Sequence, residues 1–182
     1  MNTLHNFKRS SFHLQNLRSF SSSVYLWSQM PRMGTKQSDL KTQMSMQKGV
    51  PQRIEAFDDL NVKSLKIGMR HSAALTENGE LYMFGNGNWG VLGQGNENNV
   101  PFNKPVKVQK FESLGLKVKD VVLGEYHTMA LTDDGSVWTW GYGGKKGYFN
   151  WMYSQEVGAL GHGDKEPHFY PKKVEFEDDF KV

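Results

Sequence analysis

Two histidines, His71 and His127, lie 56 residues apart in nearly identical surroundings. The first belongs to IGMRHSAALTENGELYMFG and the second to LGEYHTMALTDDGSVWTWG. Imidazole is a common metal ligand and general base, so a recurring histidine has to be weighed as chemistry. No carboxylate recurs beside either histidine. Equivalent positions of successive repeats are also separated in space in a repeat fold, so the two imidazoles are not expected to share one metal ion. We therefore predict that both are structural histidines that bond to the backbone.

The other polar clusters indicate no reaction. One turn brings together His162, Asp164 and His168. A metal site needs three well-spaced ligands, and this loose cluster does not supply them. In GYGGKKG the two lysines precede Gly-Tyr, whereas a phosphate-binding loop needs lysine followed by serine or threonine at the start of a helix. The absence of cysteine excludes disulfides, thiolate metal sites and thiol nucleophiles. We predict no enzyme, no cofactor and no metal.

The two quoted stretches share the pattern of a β-hairpin. Gly68 matches Gly124 and Gly85 matches Gly141, at the two ends of the pattern. HSAAL and HTMAL alternate as half-buried strands do, and TENG and TDDG end in the glycine that a tight turn needs. LYMFG and VWTWG, with aromatic side chains on alternate positions, are the predicted return strands.

The repetition extends beyond this hairpin. GNWGVLGQG is echoed by EVGALGHG, and NKPVKV by FYPKKV. A weaker third copy, VYLW followed by GVPQRIEAF, lies upstream and lacks its own histidine-bearing strand. A period of 54 to 57 residues, with two hairpin-like pieces in each unit, is typical of a propeller blade.

This wording resembles the regulator of chromosome condensation repeat family. The likeness is strong over residues 68–108 and 124–174 and weak over 24–57. It implies a β-propeller, which in this family has seven blades of four strands. The predicted fold class is all-β, a partial propeller of about three blades over residues 23–182, preceded by an extended, partly helical arm over residues 1–22.

The N-terminal arm carries the positive charge. Residues 1–38 hold five of the 22 basic residues and no acid, which leaves 17 basic against 19 acidic residues in the remainder, a net of −2. A basic, serine-rich, acid-free start is typical of a mitochondrial transit peptide, with a cut between Phe20 and Ser21. The alternatives are a retained targeting segment and a disordered basic tail. We predict a mitochondrial, matrix-side protein, and no nucleic-acid partner because the body has no basic excess.

An insertion breaks the repeat. From Gly85 to Gly95 the chain takes 11 residues, whereas the equivalent path from Gly141 to Gly163 takes 23. The additional residues include three aromatic residues on alternate positions, Phe149, Trp151 and Tyr153. Aromatic side chains anchor protein interfaces, so these three are candidate partner-binding residues. The alternative is a loop that folds over its own blade.

A blade buries its faces only against neighbouring blades, so a partial propeller leaves both ends open. We therefore expect other protein subunits to cover both ends. The predicted function is a non-catalytic accessory subunit and interaction scaffold of a mitochondrial assembly, with a respiratory-chain or other inner-membrane complex favoured. No transmembrane segment is predicted, and any membrane association would be peripheral. The alternatives are a guanine-nucleotide exchange regulator of a small GTPase and an organelle RNA-processing factor.

Overall fold

The computed structural model describes residues 18–20, 23–26, 51–100, 104–144 and 158–176, and every structural statement below concerns these residues. They form three antiparallel sheets, which we call blades 1, 2 and 3 in chain order. Blade 1 contains β1 (Arg18–Phe20), β2 (Ser23–Leu26) and β3 (Gln52–Arg53). Blade 2 contains β4 (Val62–Ile67), β5 (His71–Thr76), β6 (Leu81–Gly85) and β7 (Val106–Lys107). Blade 3 contains β8 (Val118–Leu123), β9 (His127–Thr132), β10 (Val137–Gly141) and β11 (His168–Lys173).

Each blade is a meander in which consecutive strands pair. A short helix, α1 (Gln109–Ser113), leads from blade 2 to blade 3. Two 3-10 turns, Glu55–Phe57 and Asn88–Gly90, follow β3 and β6. The described part of the chain thus consists mainly of strands, and the all-β, partial-propeller prediction is confirmed.

The two predicted hairpins form in the same register. His71 pairs with Gly85 in blade 2, and His127 pairs with Gly141 in blade 3. The turns that join these strands place Gly79 at φ +81° and its counterpart in blade 3 at φ +82°, a region that glycine enters without steric cost. The matching registers make the blades comparable residue by residue.

Blade 1 contains a strand that the repeat comparison did not find. Arg18–Phe20 pairs antiparallel with Ser23–Leu26, in the place that β5 and β9 occupy in the other blades. The expectation that the first repeat lacks this strand is wrong. Strand β1 also falls within the predicted arm; the remainder of that arm, including its predicted helix, lies outside the described residues.

Two apolar layers hold the three blades together. The first, between blades 1 and 2, contains five buried residues: Val24, Ile54, Phe57, Ala74 and Phe84. The second, between blades 2 and 3, is larger; it includes Ala73, Leu75, Leu81 and Met83 of blade 2 and Val121, Ala130, Trp138 and Trp140 of blade 3. Adjacent residues of β5 therefore enter different layers, as the period of a strand requires. Both faces of blade 2 are covered.

Candidate functional site

Strand β9 of blade 3 divides its side chains between two environments. Thr128, Ala130 and Thr132 are buried, and Ala130 belongs to the apolar layer shared with blade 2. The alternate positions His127 and Leu131 are partly exposed. Because successive side chains of a strand point to opposite faces, the second set faces away from blade 2.

Part of the face that blade 3 turns away from blade 2 is apolar and exposed. Val122 of β8 is directly paired with Met129 of β9, so the two side chains lie side by side on this face. Val122 is 60% exposed and Met129 is 41% exposed. We call Val122, His127, Met129 and Leu131 the open face.

The same positions of blade 2 show how such a face is covered. The counterpart of Met129 is Ala73, which is 0% exposed, and the counterpart of Leu131 is Leu75, which is 1% exposed. Both pack in the layer against blade 3. The open face is therefore the repeat-equivalent of a surface that is an interblade interface elsewhere in this chain.

A buried hydrogen-bond chain crosses the covered interface, and we call it the latch. The His71 Nε2 atom of blade 2 lies 2.8 Å from the Thr128 Oγ1 atom of blade 3. Thr128 Oγ1 lies 2.8 Å from the carbonyl oxygen of Val91, and the indole of Trp140 donates to the same carbonyl at 2.7 Å. The latch thus joins a strand of each blade to the loop after β6.

The donor and acceptor of each hydrogen bond in the latch follow from the number of protons available. A threonine hydroxyl has one proton, and the Val91 carbonyl can only accept, so that proton goes to Val91. Thr128 Oγ1 must then accept from His71, which places a proton on Nε2 of a neutral imidazole. Burial, and secondarily the nearby His127, lowers the pKa of His71 to about 4, in keeping with a neutral ring. Its Nδ1 atom is buried and has no partner among the described residues.

This geometry corrects one prediction. The expected backbone partner of the His71 ring is wrong: the ring bonds to a hydroxyl of the next blade. Sequence reasoning missed Thr128, although a signal was available, since a serine or threonine follows the histidine in both repeats. His127 lies on the open face, half-buried, with its pKa lowered by burial.

The predicted glycines lie where the strands turn beside these histidines. The backbone N–H groups of Gly68 and Gly124 donate to the carbonyl oxygens of His71 and His127 at 3.0 and 2.9 Å. Gly85 has φ +110°, and a Cβ atom there would lie 2.8 Å from the Arg70 carbonyl oxygen. A Cβ atom at Gly141, with φ +108°, would meet the Tyr126 carbonyl oxygen at 2.6 Å. Such contacts are too close for any residue but glycine.

A row of polar and aromatic side chains lies at the same end of blades 2 and 3. The Arg70 guanidinium donates to the Tyr126 hydroxyl at 2.7 Å and to a Glu125 carboxylate oxygen at 3.3 Å. Its Cζ atom lies 4.6 Å from the centre of the Tyr126 ring. The Tyr142 ring contacts the rings of Tyr126 and Trp89, with centres 6.4 and 5.5 Å apart. These contacts tie the loop of blade 2 to the loops of blade 3.

A shallow cleft of about 330 Å³ opens between the same two blades. Its lining consists of Asn88, Trp89 and Glu97 from blade 2 and Pro167 and Phe169 from blade 3. A carboxylate oxygen of Glu97 accepts the backbone N–H of Trp89 at 2.8 Å. Trp89 has φ +64°, which is unusual for a residue with a large side chain.

The other histidine cluster is held by local bonds. His162 Nε2 lies 3.0 Å from the Thr139 hydroxyl, while His168 Nε2 lies 3.2 Å from the Asp164 carboxylate. Lys172 also contacts Asp164, at 3.5 Å. Within the described ranges, no three His, Asp or Glu side chains are gathered as a metal-ligand set.

The predicted partner-binding residues Phe149, Trp151 and Tyr153 lie outside the described residues. The described chain stops at Gly144, three residues after β10, and resumes at Gly158. In the part of the chain that the structure describes, no helix has the length and apolar character needed to span a bilayer.

Stacked four-stranded antiparallel sheets with a 56-residue period define a β-propeller repeat protein. A family model described as "Regulator of chromosome condensation (RCC1) repeat" matches residues 78–131. A second model with this description matches residues 62–90 and 118–146. Blades 2 and 3 are RCC1 repeats, as the resemblance in the sequence implied.

Two relatives from Arabidopsis thaliana share about a third of the aligned residues. The ultraviolet-B receptor UVR8 is 34% identical over 126 residues, which are 69% of this chain and 25% of the receptor. The RCC1 domain-containing protein RUG3, mitochondrial, is 35% identical over 134 residues, which are 72% of this chain and 26% of that protein. This chain therefore spans about a quarter of the length of these curated relatives.

The crystal structure of human WBSCR16 is similar in fold. The TM-score is 0.62 at 21% sequence identity, and the match covers 87% of this chain and 36% of that chain. At this identity the likeness shows the fold alone.

Proposed function

We propose that this protein is a non-catalytic accessory subunit of a mitochondrial assembly, in which it acts as a protein-interaction scaffold. The observation that carries the proposal is the open face. Val122 and Met129 are exposed side by side, whereas Ala73, the counterpart of Met129, is fully buried in an interblade layer. An exposed apolar patch on a sheet, at positions that are a buried interface in the neighbouring repeat, is the kind of surface that binds another protein.

The mitochondrial setting is supported by two observations. Residues 1–38 contain no acid and five basic residues, which is typical of a targeting segment. The name of the similar protein RUG3 places that protein in mitochondria. We propose the matrix side, and a respiratory-chain or other inner-membrane complex, as the setting, because a matrix-targeted scaffold with an apolar face requires a large neighbour.

The absence of catalysis is part of the proposal. The polar clusters that we considered for chemistry form interblade or local bonds: His71 contacts Thr128, and His168 contacts Asp164. The alternatives, nucleotide exchange on a small GTPase and organelle RNA processing, remain predictions. No contact among the described residues favours either of them.

Localisation tests the first half of the proposal. A fluorescent reporter fused behind residues 1–38 should accumulate in mitochondria, and a matched fusion with Lys8, Arg9 and Arg18 changed to glutamine should stay in the cytosol, because import needs the basic arm. A diffuse cytosolic signal from the unchanged fusion would refute the mitochondrial setting.

Assembly tests the second half. On a native gel of mitochondrial extract, the tagged full chain should migrate in a complex much larger than its own 20.8 kDa. Changing Phe149, Trp151 and Tyr153 together to alanine should release the chain from that complex while its blades stay folded, if the insertion docks a partner. A chain that migrates alone in its unchanged form would refute the scaffold function. A triple variant that assembles normally would show that the loop packs on its own blade.

A further inference from the structure

The cleft between blades 2 and 3 has a tryptophan in a costly backbone conformation on one wall. Trp89 has φ +64°, a region that residues with a large side chain rarely enter. Such conformations persist only where the surrounding structure imposes them, and they concentrate at binding and catalytic sites. The tryptophan therefore marks this loop as a place to look for a ligand.

Hydrogen bonds within the loop hold this wall in place. The Asn99 side-chain oxygen accepts the backbone N–H of Gly87 at 3.0 Å, and a Glu97 carboxylate oxygen accepts the backbone N–H of Trp89 at 2.8 Å. The Tyr142 ring supports the tryptophan, with ring centres 5.5 Å apart. The position of the indole is thus set before any ligand arrives.

The opposite wall is the aromatic ring of Phe169 on β11. This ring lies directly against the backbone of Gly90, where a Cβ atom would meet it at 2.6 Å. The Phe169 carbonyl oxygen accepts the backbone N–H of Gly95 at 2.9 Å. Pro167 also lines the cleft. Main-chain contacts with the loop of blade 2 therefore fix the second wall as well.

The loops around the cleft carry an excess of acid. Glu97, which lines the cleft, is the sole charged residue in the sequence of residues 86–100. Residues 158–170, on the other side, contain two acidic residues and one lysine. A carboxylate has about four lone-pair sites, so the bond to Trp89 leaves Glu97 with capacity for a further donor.

The repeat pattern requires neither the tryptophan nor the carboxylate. The stretch NWGVLGQGNE of residues 88–97 aligns with EVGALGHGDK of residues 156–165. In this alignment Val157 takes the place of Trp89, and Lys165 takes the place of Glu97. The aromatic ring and the negative charge therefore distinguish this loop from its own repeat counterpart.

Two aromatic rings and a carboxylate around one cleft are the groups that bind an organic cation. The volume of about 330 Å³ is at the lower end of the roughly 300–1,000 Å³ of ligand sites, so it suits one side chain better than a cofactor. The guanidinium of arginine stacks on aromatic faces and donates two parallel hydrogen bonds to a carboxylate, whereas the ammonium of lysine is a point charge.

We propose that this cleft binds an arginine side chain from a basic segment of a partner protein, with the guanidinium against the rings of Trp89 and Phe169 and bonded to Glu97. This inference rests on the proposed scaffold function and gives it a recognition site of defined chemistry. The site is formed by the loops of blades 2 and 3 and is separate from the open face.

A titration of the purified full chain tests the site. The probe is the peptide acetyl-Gly-Arg-Gly-amide, and the matched probe carries citrulline, which has the shape of arginine without its charge. NMR follows the indole N–H signal of Trp89, which is identified by its loss in Trp89→Phe. The arginine peptide should shift this signal in a saturable way. The citrulline peptide should bind roughly ten-fold more weakly, because it lacks the cation.

The variant Glu97→Gln separates the charge from the structure of the loop. The amide oxygen can still accept the Trp89 N–H, so the loop keeps its conformation, while the affinity for the arginine peptide should fall about three-fold or more. Glu77→Gln makes the same change in the exposed turn at the other end of blade 2 and should bind as the unchanged chain does. An unmoved Trp89 signal, equal binding of the two peptides, or equal affinity of the two variants would overturn the proposal.

These outcomes are separable from a failure of the proposed function. A chain that migrates alone on the native gel but binds the arginine peptide through Glu97 retains the cleft site and loses the scaffold function. A chain that migrates in a large mitochondrial complex and does not bind the peptide retains the scaffold function and loses the cleft site.

Discussion

Blades 2 and 3 have the same hairpin register and share the repeat pattern, yet among the described residues apolar layers cover both faces of blade 2 and one face of blade 3. Ala73 and Ala74 of β5 are each 0% exposed, one in each apolar layer. Of the two counterparts in β9, Ala130 is 1% exposed, while its neighbour Met129 is 41% exposed. The comparison teaches that equivalent positions of the repeat are buried in an interface in blade 2 and exposed in blade 3, within the part of the chain that the structure describes.

The largest expected difference in stability comes from placing an arginine at position 73 in one variant and at the equivalent position 129 in another. Ala73→Arg puts an unpaired guanidinium into the layer between blades 2 and 3, and should lower the free energy of unfolding by about 4 kcal/mol or more. Met129→Arg alters the open face and should change the stability of the isolated chain by no more than about 0.5 kcal/mol. Urea unfolding of the two purified variants measures both. Equal losses would mean that the open face is already covered within the chain.

Acid should weaken the covered interface through His71. Burial lowers the pKa of His71 from 6.5 to about 4 in the folded chain. Between these pH values the imidazole is therefore protonated in the unfolded chain but neutral in the folded chain. The contribution of the neutral His71 to the free energy of unfolding is therefore fully present above pH 6.5. It is lost as the pH drops from 6.5 toward 4, by on the order of 3 kcal/mol.

The variant His71→Gln keeps an N–H donor and cannot titrate, so it isolates this effect. Thermal unfolding across pH 4 to 7 should show a smaller acid slope for His71→Gln than for the unchanged chain. The half-buried His127 adds a smaller effect of the same sign, which His127→Gln removes. An acid slope that does not change in the His71 variant would contradict the buried neutral imidazole.

A smaller loss is expected from the hydroxyl of the latch. Thr128→Val keeps the shape of the side chain but removes the acceptor of the His71 N–H, and should cost about 1–3 kcal/mol because the buried donor is left unpaired. Ser72→Ala, at the equivalent position of blade 2, is the control and should have little effect, since Ser72 is only half-buried. The urea midpoints of the two variants measure these losses of stability. A Thr128→Val chain as stable as the Ser72→Ala chain would show that the latch contributes nothing to the stability.

The fold could be predicted from the sequence where local rules act. Glycine at the turns and alternating strands beside them identified both hairpins, and the structure has them in a common register. Strand β1 was missed because Arg18–Phe20 has three residues and no apolar alternation. Its pairing with β2 is visible only in the backbone hydrogen bonds.

The candidate site was predictable only in part. The recurrence of His71 and His127 pointed to the right position, but it did not show that the ring bonds to the next blade. That bond joins residues 57 positions apart and depends on how two sheets stack, which no local pattern contains. Met129 stands out only after comparison with Ala73, because a methionine in a strand is equally compatible with a core position and an interface.

The central claim, that the open face is an interface in the native assembly, can be tested by chemical labelling. The chain has no cysteine, so Met129→Cys introduces a single thiol on the open face, and Tyr170→Cys introduces one at a 59% exposed position of β11 as a control. In the purified chain both thiols should react rapidly with maleimide. In native extracts of cells that express the chain, the thiol at position 129 should be protected at least ten-fold while the thiol at position 170 stays reactive. Equal labelling at position 129 in the purified and native samples would contradict the account.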